Sequence, residues 1–182
     1  MKYSIILLIL LFMTSCRNPE KVLYQELTPD EFTRRLEKCP VAYLPLGTLE
    51  WHSTHLPLGS DGLQSKGFFK KLATEAGGIV MSMLFIGPDG YDTLINGHEY
   101  YGMDSASVFS DDAGANETSI MMYLYPDLVK MDNLPADPAV WPLGMLGKDP
   151  RTHASRKLGK DIIDFELKKM KSVIQDELER LK

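Results

Sequence analysis

The stretch from residue 44 to residue 61 constrains this chain more than any other. It reads Leu-Pro-Leu-Gly-Thr-Leu-Glu-Trp-His-Ser-Thr-His-Leu-Pro-Leu-Gly-Ser-Asp, and it brings Glu50, His52 and Asp61 close together in the sequence. Glu50 and His52 are two residues apart, so on an extended segment their side chains point to the same side. The proline and glycine before Asp61 are incompatible with a continuous helix and favour a loop that folds back. Because carboxylate and imidazole groups bind Zn, Mn and Fe(II), the stretch predicts a metal site without cysteine ligands.

The same stretch resembles the signature of the creatininase (creatinine amidohydrolase) family, roughly Leu-Pro-x-Gly-Ser-x-Glu-x-His-Gly-x-His-Leu-Pro-Leu-x-x-Asp. It departs from the signature mainly at Ser53, where the family has glycine. The resemblance implies that Glu50, His52 and Asp61 bind a pair of divalent metals, with Asp61 bridging them. The second histidine, His55, has three open roles: it can shape the pocket, bind substrate, or hydrogen-bond the loop.

Residues 112–129 resemble a second block of that family, roughly His-Ala-Gly-x-x-Glu-Thr-Ser-x-Met-Leu-x-Leu-x-Pro-x-Leu-Val. The resemblance implies that Glu117 is an active-site residue, as a metal ligand and in proton transfer. The structural alternative is that Glu117 stabilises the start of a helix, where a carboxylate suits the helix dipole. At the first position the family has a histidine placed for proton transfer, whereas this chain has Asp112. A carboxylate can act as a general base, but its ordinary pKa is far below that of imidazole.

A shorter match lies at Asn96-Gly97-His98, since many family members carry an Asn-Gly-His whose histidine is a metal ligand. Here Glu99-Tyr100-Tyr101 replaces the usual Gly-Gly-Asn, so His98 is either a ligand or part of a turn. Relatives have a long middle segment where this chain has only residues 91–111. These residues are too few for a crossover unit as well as two strands. We therefore predict an α/β fold, a reduced three-layer creatininase-like sandwich with a small, mostly parallel sheet and flanking helices.

Local patterns predict the main elements of this fold. Thr28-Pro29-Asp30-Glu31 is typical of a helix start, and that helix should end before Pro40. Buried strands are predicted at 41–46 and 79–86, and Pro45 should shorten the first of them or confine it to a sheet edge. A helix is predicted at 62–76, and a long amphipathic helix at 157–182.

The N-terminus has a different character. A positive start, a short apolar run and small residues before Cys16 predict an export signal, and the pattern resembles that of bacterial lipoproteins, whose cysteine is lipidated. The alternatives are an ordinary signal peptide and a single anchor helix. We expect a signal segment at 1–16, a tether at 17–26 and an α/β domain at 27–182, exported and attached to a bacterial membrane through a lipid on Cys16. Only Cys39 would then remain, so no internal disulfide is expected.

Two functions are compatible with these features. The first is a metal-dependent amidohydrolase, which hydrolyses a C–N bond of a cyclic or small amide with a metal-activated water and one or two Zn, Mn or Fe ions. The second is a degenerate, non-catalytic lipoprotein that serves as a binding or structural module. A net charge of −5 argues against non-specific nucleic-acid binding. Assembly into a homo-oligomer is compatible with the sequence.

Overall fold

The computed structural model describes residues 20–88 and 112–181. The predicted signal with Cys16 and the predicted ligand His98 lie outside the described residues. The elements are α1 (Pro29–Lys38), β1 (Ala42–Tyr43), β2 (Leu46–Leu49), α2 (Ser60–Ala76), β3 (Ile79–Val80), β4 (Leu84–Pro88), α3 (Ala115–Leu124), α4 (Pro150–His153) and α5 (Arg156–Arg180). Within the described part of the chain, none of the helices combines the length and apolar composition needed to cross a membrane.

Helix α1 begins where the sequence predicts. The Thr28 side chain accepts a hydrogen bond from the Glu31 backbone N–H, and the Glu31 carboxylate accepts one from the Thr28 N–H at 2.8 Å. This reciprocal pair satisfies two N–H groups at the helix start. At the other end, the buried Arg35 side chain donates hydrogen bonds to the Gly78 carbonyl, at 2.9 and 3.1 Å. Helix α1 is thereby attached to the segment that follows α2.

Each of the two predicted strands is divided into two short strands, and these four strands form two parallel pairs. β1 pairs with β3 and β2 pairs with β4, in parallel in both cases. The strand predicted over 41–46 is shortened by its proline, as expected, because Pro45 has no N–H to donate and the regular ladder stops there. Pairing nevertheless continues through the Pro45 carbonyl, which accepts a hydrogen bond from the Leu84 N–H at 3.1 Å. β2 then extends to Leu49, so Glu50 follows the carboxyl end of a strand.

Helix α2 lies so close to β2 that only glycine fits at their contact. A Cβ atom on Gly47 would be 2.2 Å from the backbone nitrogen of Gly62 and 2.4 Å from its Cα. The helix begins at Ser60, two residues earlier than predicted. This close approach places the first turn of α2, including Asp61, directly beside the strand that leads to Glu50.

A second close approach fixes α3. A Cβ on Gly159 of α5 would be 1.8 Å from the Ser119 carbonyl oxygen of α3. The Ser119 hydroxyl also accepts a hydrogen bond from the Ser155 N–H at the start of α5, at 2.9 Å. Because α5 also packs against α2, it holds α2 and α3 in a common arrangement.

The larger of two apolar clusters among the described residues joins these elements. Its buried members come from α2, β1, β3, α3, α5 and the segment before α1: Val22, Leu23, Tyr43, Leu72, Ala73, Val80, Ile120, Ile162, Ile163 and Leu167. Leu23 also forms a parallel bridge with Val80. The packed part of the chain therefore includes Val22 and Leu23, which the sequence assigns to the tether. The result is the predicted α/β arrangement of a small parallel sheet with flanking helices.

Candidate metal centre

A short closed loop brings the first three predicted site residues together. The Glu50 N–H donates a hydrogen bond to the Leu58 carbonyl at 2.9 Å, which closes the loop immediately after β2. Gly59 precedes α2, and its carbonyl accepts the 2.9 Å helical hydrogen bond from the Leu63 N–H. Asp61, in the first turn of α2, therefore returns to Glu50 and His52. The predicted convergence of these three residues is present in the structure.

His52 lies at the centre of the site and is 1% exposed. Its Nδ1 lies 3.1 Å from the backbone carbonyl oxygen of Glu50. A carbonyl can only accept, so Nδ1 carries the hydrogen, and Nε2 of the neutral imidazole presents its lone pair to the cavity. A backbone contact of this kind fixes both the tautomer and the ring orientation of a metal-binding histidine.

Three carboxylates approach this one nitrogen. His52 Nε2 lies 3.2 Å from Asp61 Oδ1, 3.2 Å from Glu117 Oε1 and 3.8 Å from Glu50 Oε1. The other oxygen of Asp61 accepts a hydrogen bond from the Thr48 hydroxyl. Thr48, Glu50 and His52 occupy every second position from β2 onward. Thr48 and His52 both contact Asp61, and Glu50 approaches His52.

Glu117 reaches the site from α3 and is held there by two donors. Gln64 Nε2 donates to Glu117 Oε1 at 2.7 Å, and the Ala113 N–H donates to Glu117 Oε2 at 2.6 Å. Glu117 is buried and also lies in the first turn of α3. Its carboxylate can therefore act at the helix start and at the site together.

Asp112 is exposed and lines the same cavity, which has a volume of about 300 Å³. Two sets of residues could hold an ion: Glu50, His52 and Asp61 form one set, and His52, Asp112 and Glu117 form the other. Within each set, the potential ligand atoms lie within 4.8 Å of one another. The described residues that line the cavity are Glu50, His52, Asp61, Gln64, Asp112, Asn116, Glu117 and Ile120. Four of these eight carry carboxylates and none is a lysine or arginine, so this donor set fits a cation.

The electrostatics of the protein without an ion reflect this crowding. Burial would lower the pKa of His52, but hydrogen bonds and negative charge from Asp61 and Glu117 raise it to about 11. Burial would raise the pKa of Asp61, but hydrogen bonds from His52 and Thr48 lower it to about 2. Burial and the neighbouring Asp61 raise the pKa of Glu50. A proton on His52 thus occupies the position where a cation would otherwise balance the carboxylates.

His55, by contrast, does not join the donor sets. It is 1% exposed, and its Nε2 lies 2.8 Å from the Thr118 hydroxyl of α3. Burial, followed by the charge of His52, lowers the pKa of His55 to about 4, so the ring is neutral near pH 7. The sequence left open a hydrogen bond from His55 to its own loop, but the side-chain hydrogen bond observed is to Thr118 of α3.

Ser53 occupies a left-handed backbone conformation with φ of 56°. Only glycine adopts this region without a steric penalty. The departure from the family signature at this position therefore places a side chain where the backbone favours glycine.

Sequence reasoning did not identify Gln64, Thr48 or Asn116 as site residues. A signal for Gln64 was present, because residues three apart on a helix share a face and Gln64 lies three residues after Asp61. Asn116 offered no comparable signal, because its place in the cavity depends on how α3 packs.

Comparisons with known proteins agree with this fold. The family model described as creatininase, creatinine amidohydrolase, matches residues 25–97. A mutant creatininase of the Zn–Zn type is 21% identical, with a TM-score of 0.61, and covers 86% of this chain and 98% of its own. A creatininase with Mn is 20% identical, with a TM-score of 0.60 and the same coverage. A mutant creatininase complexed with creatine is 21% identical, with a TM-score of 0.59, again with that coverage.

A search of curated proteins gives no match. The fold and the cluster of carboxylates around a buried histidine define an α/β protein with a candidate centre for divalent metal ions. The resemblance to the creatininase family is confirmed, by the family model over residues 25–97 and by the fold shared with solved creatininases.

Proposed function

We propose that this protein is a metal-dependent amidohydrolase of the creatininase type. One observation carries the proposal: three carboxylates from different parts of the chain converge on Nε2 of His52, while a backbone carbonyl fixes its other nitrogen. A salt bridge alone would need one carboxylate, so the additional negative charges favour a site built for a cation.

The residues that would hold an ion are Glu50, His52, Asp61 and Glu117. His52 has one nitrogen available, so it can serve one ion only. A second ion would depend on carboxylates, and Asp61 is the bridging residue that the family resemblance implies. The mixed nitrogen and oxygen donors accept Zn, Mn and Fe(II), and the solved creatininases include Zn–Zn and Mn forms.

Bound there, a divalent ion supplies Lewis acidity toward a carbonyl group and makes water a stronger acid. Hydrolysis of an amide adds OH to the carbonyl carbon and a hydrogen to the departing nitrogen. Asp112 lines the cavity and is exposed, so its carboxylate can take the proton released by water. Glu117 is held by Gln64 and Ala113, and is the second group placed for proton transfer.

The substrate we propose is a small linear or cyclic amide. A cavity of about 300 Å³ is at the lower end of the range for small-molecule sites. The Asn116 side chain lines it, and an amide side chain can both donate to and accept from an amide substrate. One solved creatininase is a complex with creatine, which supports a ligand of this size.

Metal content of the purified protein tests this function most directly. Elemental analysis of the wild type should find one or two divalent ions per chain, and Asp61→Asn should weaken metal binding by at least about 10-fold. Asp132→Asn is the matched control, because Asp132 is exposed and outside the cavity. A wild-type protein that folds but binds none of Zn, Mn and Fe(II) would contradict the proposal. With the metal site established, hydrolysis of small amides is the activity to measure.

The second candidate is a non-catalytic binding module that keeps the fold. Asp112 favours it, since it stands where the family has a histidine for proton transfer. A protein that binds metal and a small amide without turnover would identify this second function. Restored turnover in Asp112→His would then show that this one position limits catalysis.

We also propose that the chain is exported and attached to a bacterial membrane through a lipid on Cys16. The supporting feature is the sequence, a positive start and an apolar run that stops at Ser15-Cys16. Labelling with a radioactive fatty acid in a bacterial host should mark the wild type and spare Cys16→Ser. Equal labelling of both would contradict lipidation at this residue.

A further inference from the structure

His55 is connected to Ala113 by hydrogen bonds through the Thr118 hydroxyl. His55 Nε2 lies 2.8 Å from the Thr118 hydroxyl oxygen, and that hydroxyl lies 3.3 Å from the Ala113 carbonyl oxygen. Thr118 has a single hydroxyl hydrogen, and the carbonyl can only accept. The hydroxyl therefore donates to Ala113, and His55 Nε2–H donates to the hydroxyl.

The environment of the other ring nitrogen, Nδ1, supports His55 Nε2–H as the donor to Thr118. Within the described part of the chain, the buried Nδ1 has no hydrogen-bond partner. In the neutral tautomer with hydrogen on Nε2, Nδ1 holds only a lone pair. The opposite tautomer would bury an N–H donor without an acceptor, which costs more free energy.

Ala113, the last residue of this chain of hydrogen bonds, has an unusual backbone. It is completely buried and left-handed, with φ of 55°, although it carries a Cβ. Hydrogen bonds hold both sides of the residue. Its carbonyl accepts from Thr118, and its N–H donates to Glu117 Oε2 at 2.6 Å. A strained conformation persists where its surroundings fix it in this way.

We propose that His55 is a positioning residue for Glu117. Through Thr118 it holds Ala113 in the left-handed conformation, and the Ala113 N–H then fixes the Glu117 carboxylate with its other oxygen toward His52. This rests on the proposed function only where metal binding is the readout. Among the described residues, His55 belongs neither to the two donor sets nor to the lining of the cavity.

Four variants of the full chain test the proposal in matched pairs. Gln places an amide N–H where His55 has Nε2–H, so His55→Gln keeps the donor, whereas His55→Leu removes it. Thr118→Ser keeps the hydroxyl, whereas Thr118→Val removes it with little change of shape. Circular dichroism establishes which variants are folded, and the measurements below use the folded protein.

The first readout is the NMR signal of the Ala113 amide, which needs no metal. A 2.6 Å hydrogen bond to a carboxylate should shift the Ala113 amide proton downfield and slow its exchange with solvent. We expect both properties to be lost in His55→Leu and Thr118→Val and kept in His55→Gln and Thr118→Ser. Glu117→Gln provides the reference spectrum for loss of the charged acceptor. An Ala113 signal that is the same in all four variants would refute the positioning role.

The second readout is Co²⁺ affinity, together with the visible absorption bands of bound Co²⁺. His55→Leu and Thr118→Val should weaken binding by about 10- to 100-fold and shift the bands, as expected for loss of a group that orients a ligand. When combined with Glu117→Gln, His55→Leu should add almost no further loss, because both act through one carboxylate. Fully additive losses would show that His55 does not act through Glu117.

The two readouts separate this inference from the proposed function. If the wild type binds no Co²⁺ but the Ala113 signal responds as expected, the metal function fails and the positioning role stands. If the wild type binds Co²⁺ and the Ala113 signal does not respond, the positioning role fails and the metal function stands.

Discussion

Replacing Ser53 by glycine should make this protein more stable. Two features of Ser53 oppose folding: its backbone is left-handed, with φ of 56°, and its buried hydroxyl has no hydrogen-bond partner in the described part of the chain. An L-residue in the left-handed region costs about 1–2 kcal/mol, and a buried hydroxyl without a partner costs about 1–3 kcal/mol. Glycine loses more conformational entropy on folding than serine does, and this loss reduces the expected gain in stability by about 0.5–1 kcal/mol. We therefore expect a net gain of about 2 kcal/mol for Ser53→Gly.

Two further variants separate these contributions. Ser53→Ala removes only the hydroxyl and should raise the free energy of unfolding by about 1 kcal/mol. The step from alanine to glycine then reports the backbone alone. Ser172→Gly is the control, because Ser172 is exposed within α5 and the same substitution there should destabilise by about 0.5–1 kcal/mol.

Equilibrium unfolding in urea measures these effects. With a slope of about 2 kcal/mol per molar urea, the midpoint for Ser53→Gly should rise by about 1 M. An unchanged slope would show that the folded and unfolded states are otherwise comparable. A lower midpoint for Ser53→Gly than for the wild type would refute the reasoning, because neither the conformation nor the hydroxyl would then be a cost.

Two other substitutions test the packing and the acid stability of the site. Gly47→Ala should cost at least about 2 kcal/mol and weaken metal binding, because its Cβ would lie 2.2 Å from the backbone of α2. Gly59→Ala should have smaller effects on both, since its Cβ would meet only side-chain atoms, of Phe85 at 3.3 Å and of Leu49 at 3.6 Å. Urea unfolding measures the loss of stability and Co²⁺ titration the loss of metal affinity. Equal losses in the two variants would contradict the expected difference between them. His55 has a pKa of about 4 when folded and about 6.5 when unfolded, so between these pH values the unfolded state binds more protons and stability falls as the pH falls. The loss reaches roughly 3 kcal/mol by pH 4, and His55→Gln should remove it; an identical pH dependence of unfolding in both proteins would exclude His55 as the cause.

Local interactions explain why parts of the fold could be predicted. The start of α1 was predicted correctly because its capping partners, Thr28 and Glu31, lie within one turn. The end of β2 was not, because its extent depends on the hydrogen bonds supplied by β4, a segment distant in sequence. The observed start of α2 differs from the predicted start for a similar reason, because the helix begins where the loop after Glu50 closes.

The sequence alone determined the types of metal donor and brought three of them into one short stretch, because Glu50, His52 and Asp61 are close along the chain and separated by turn-forming residues. Tertiary structure decided how they meet the rest of the site. Glu117 reaches His52 only because α3 packs on α5 at Gly159, and Asp61 is held beside β2 only because two backbones meet at Gly47. The role of His55 was decided in the same way, since its partner is 63 residues away in the sequence. Such contacts depend on how whole helices and strands pack against one another, and a local pattern of residues does not specify that packing.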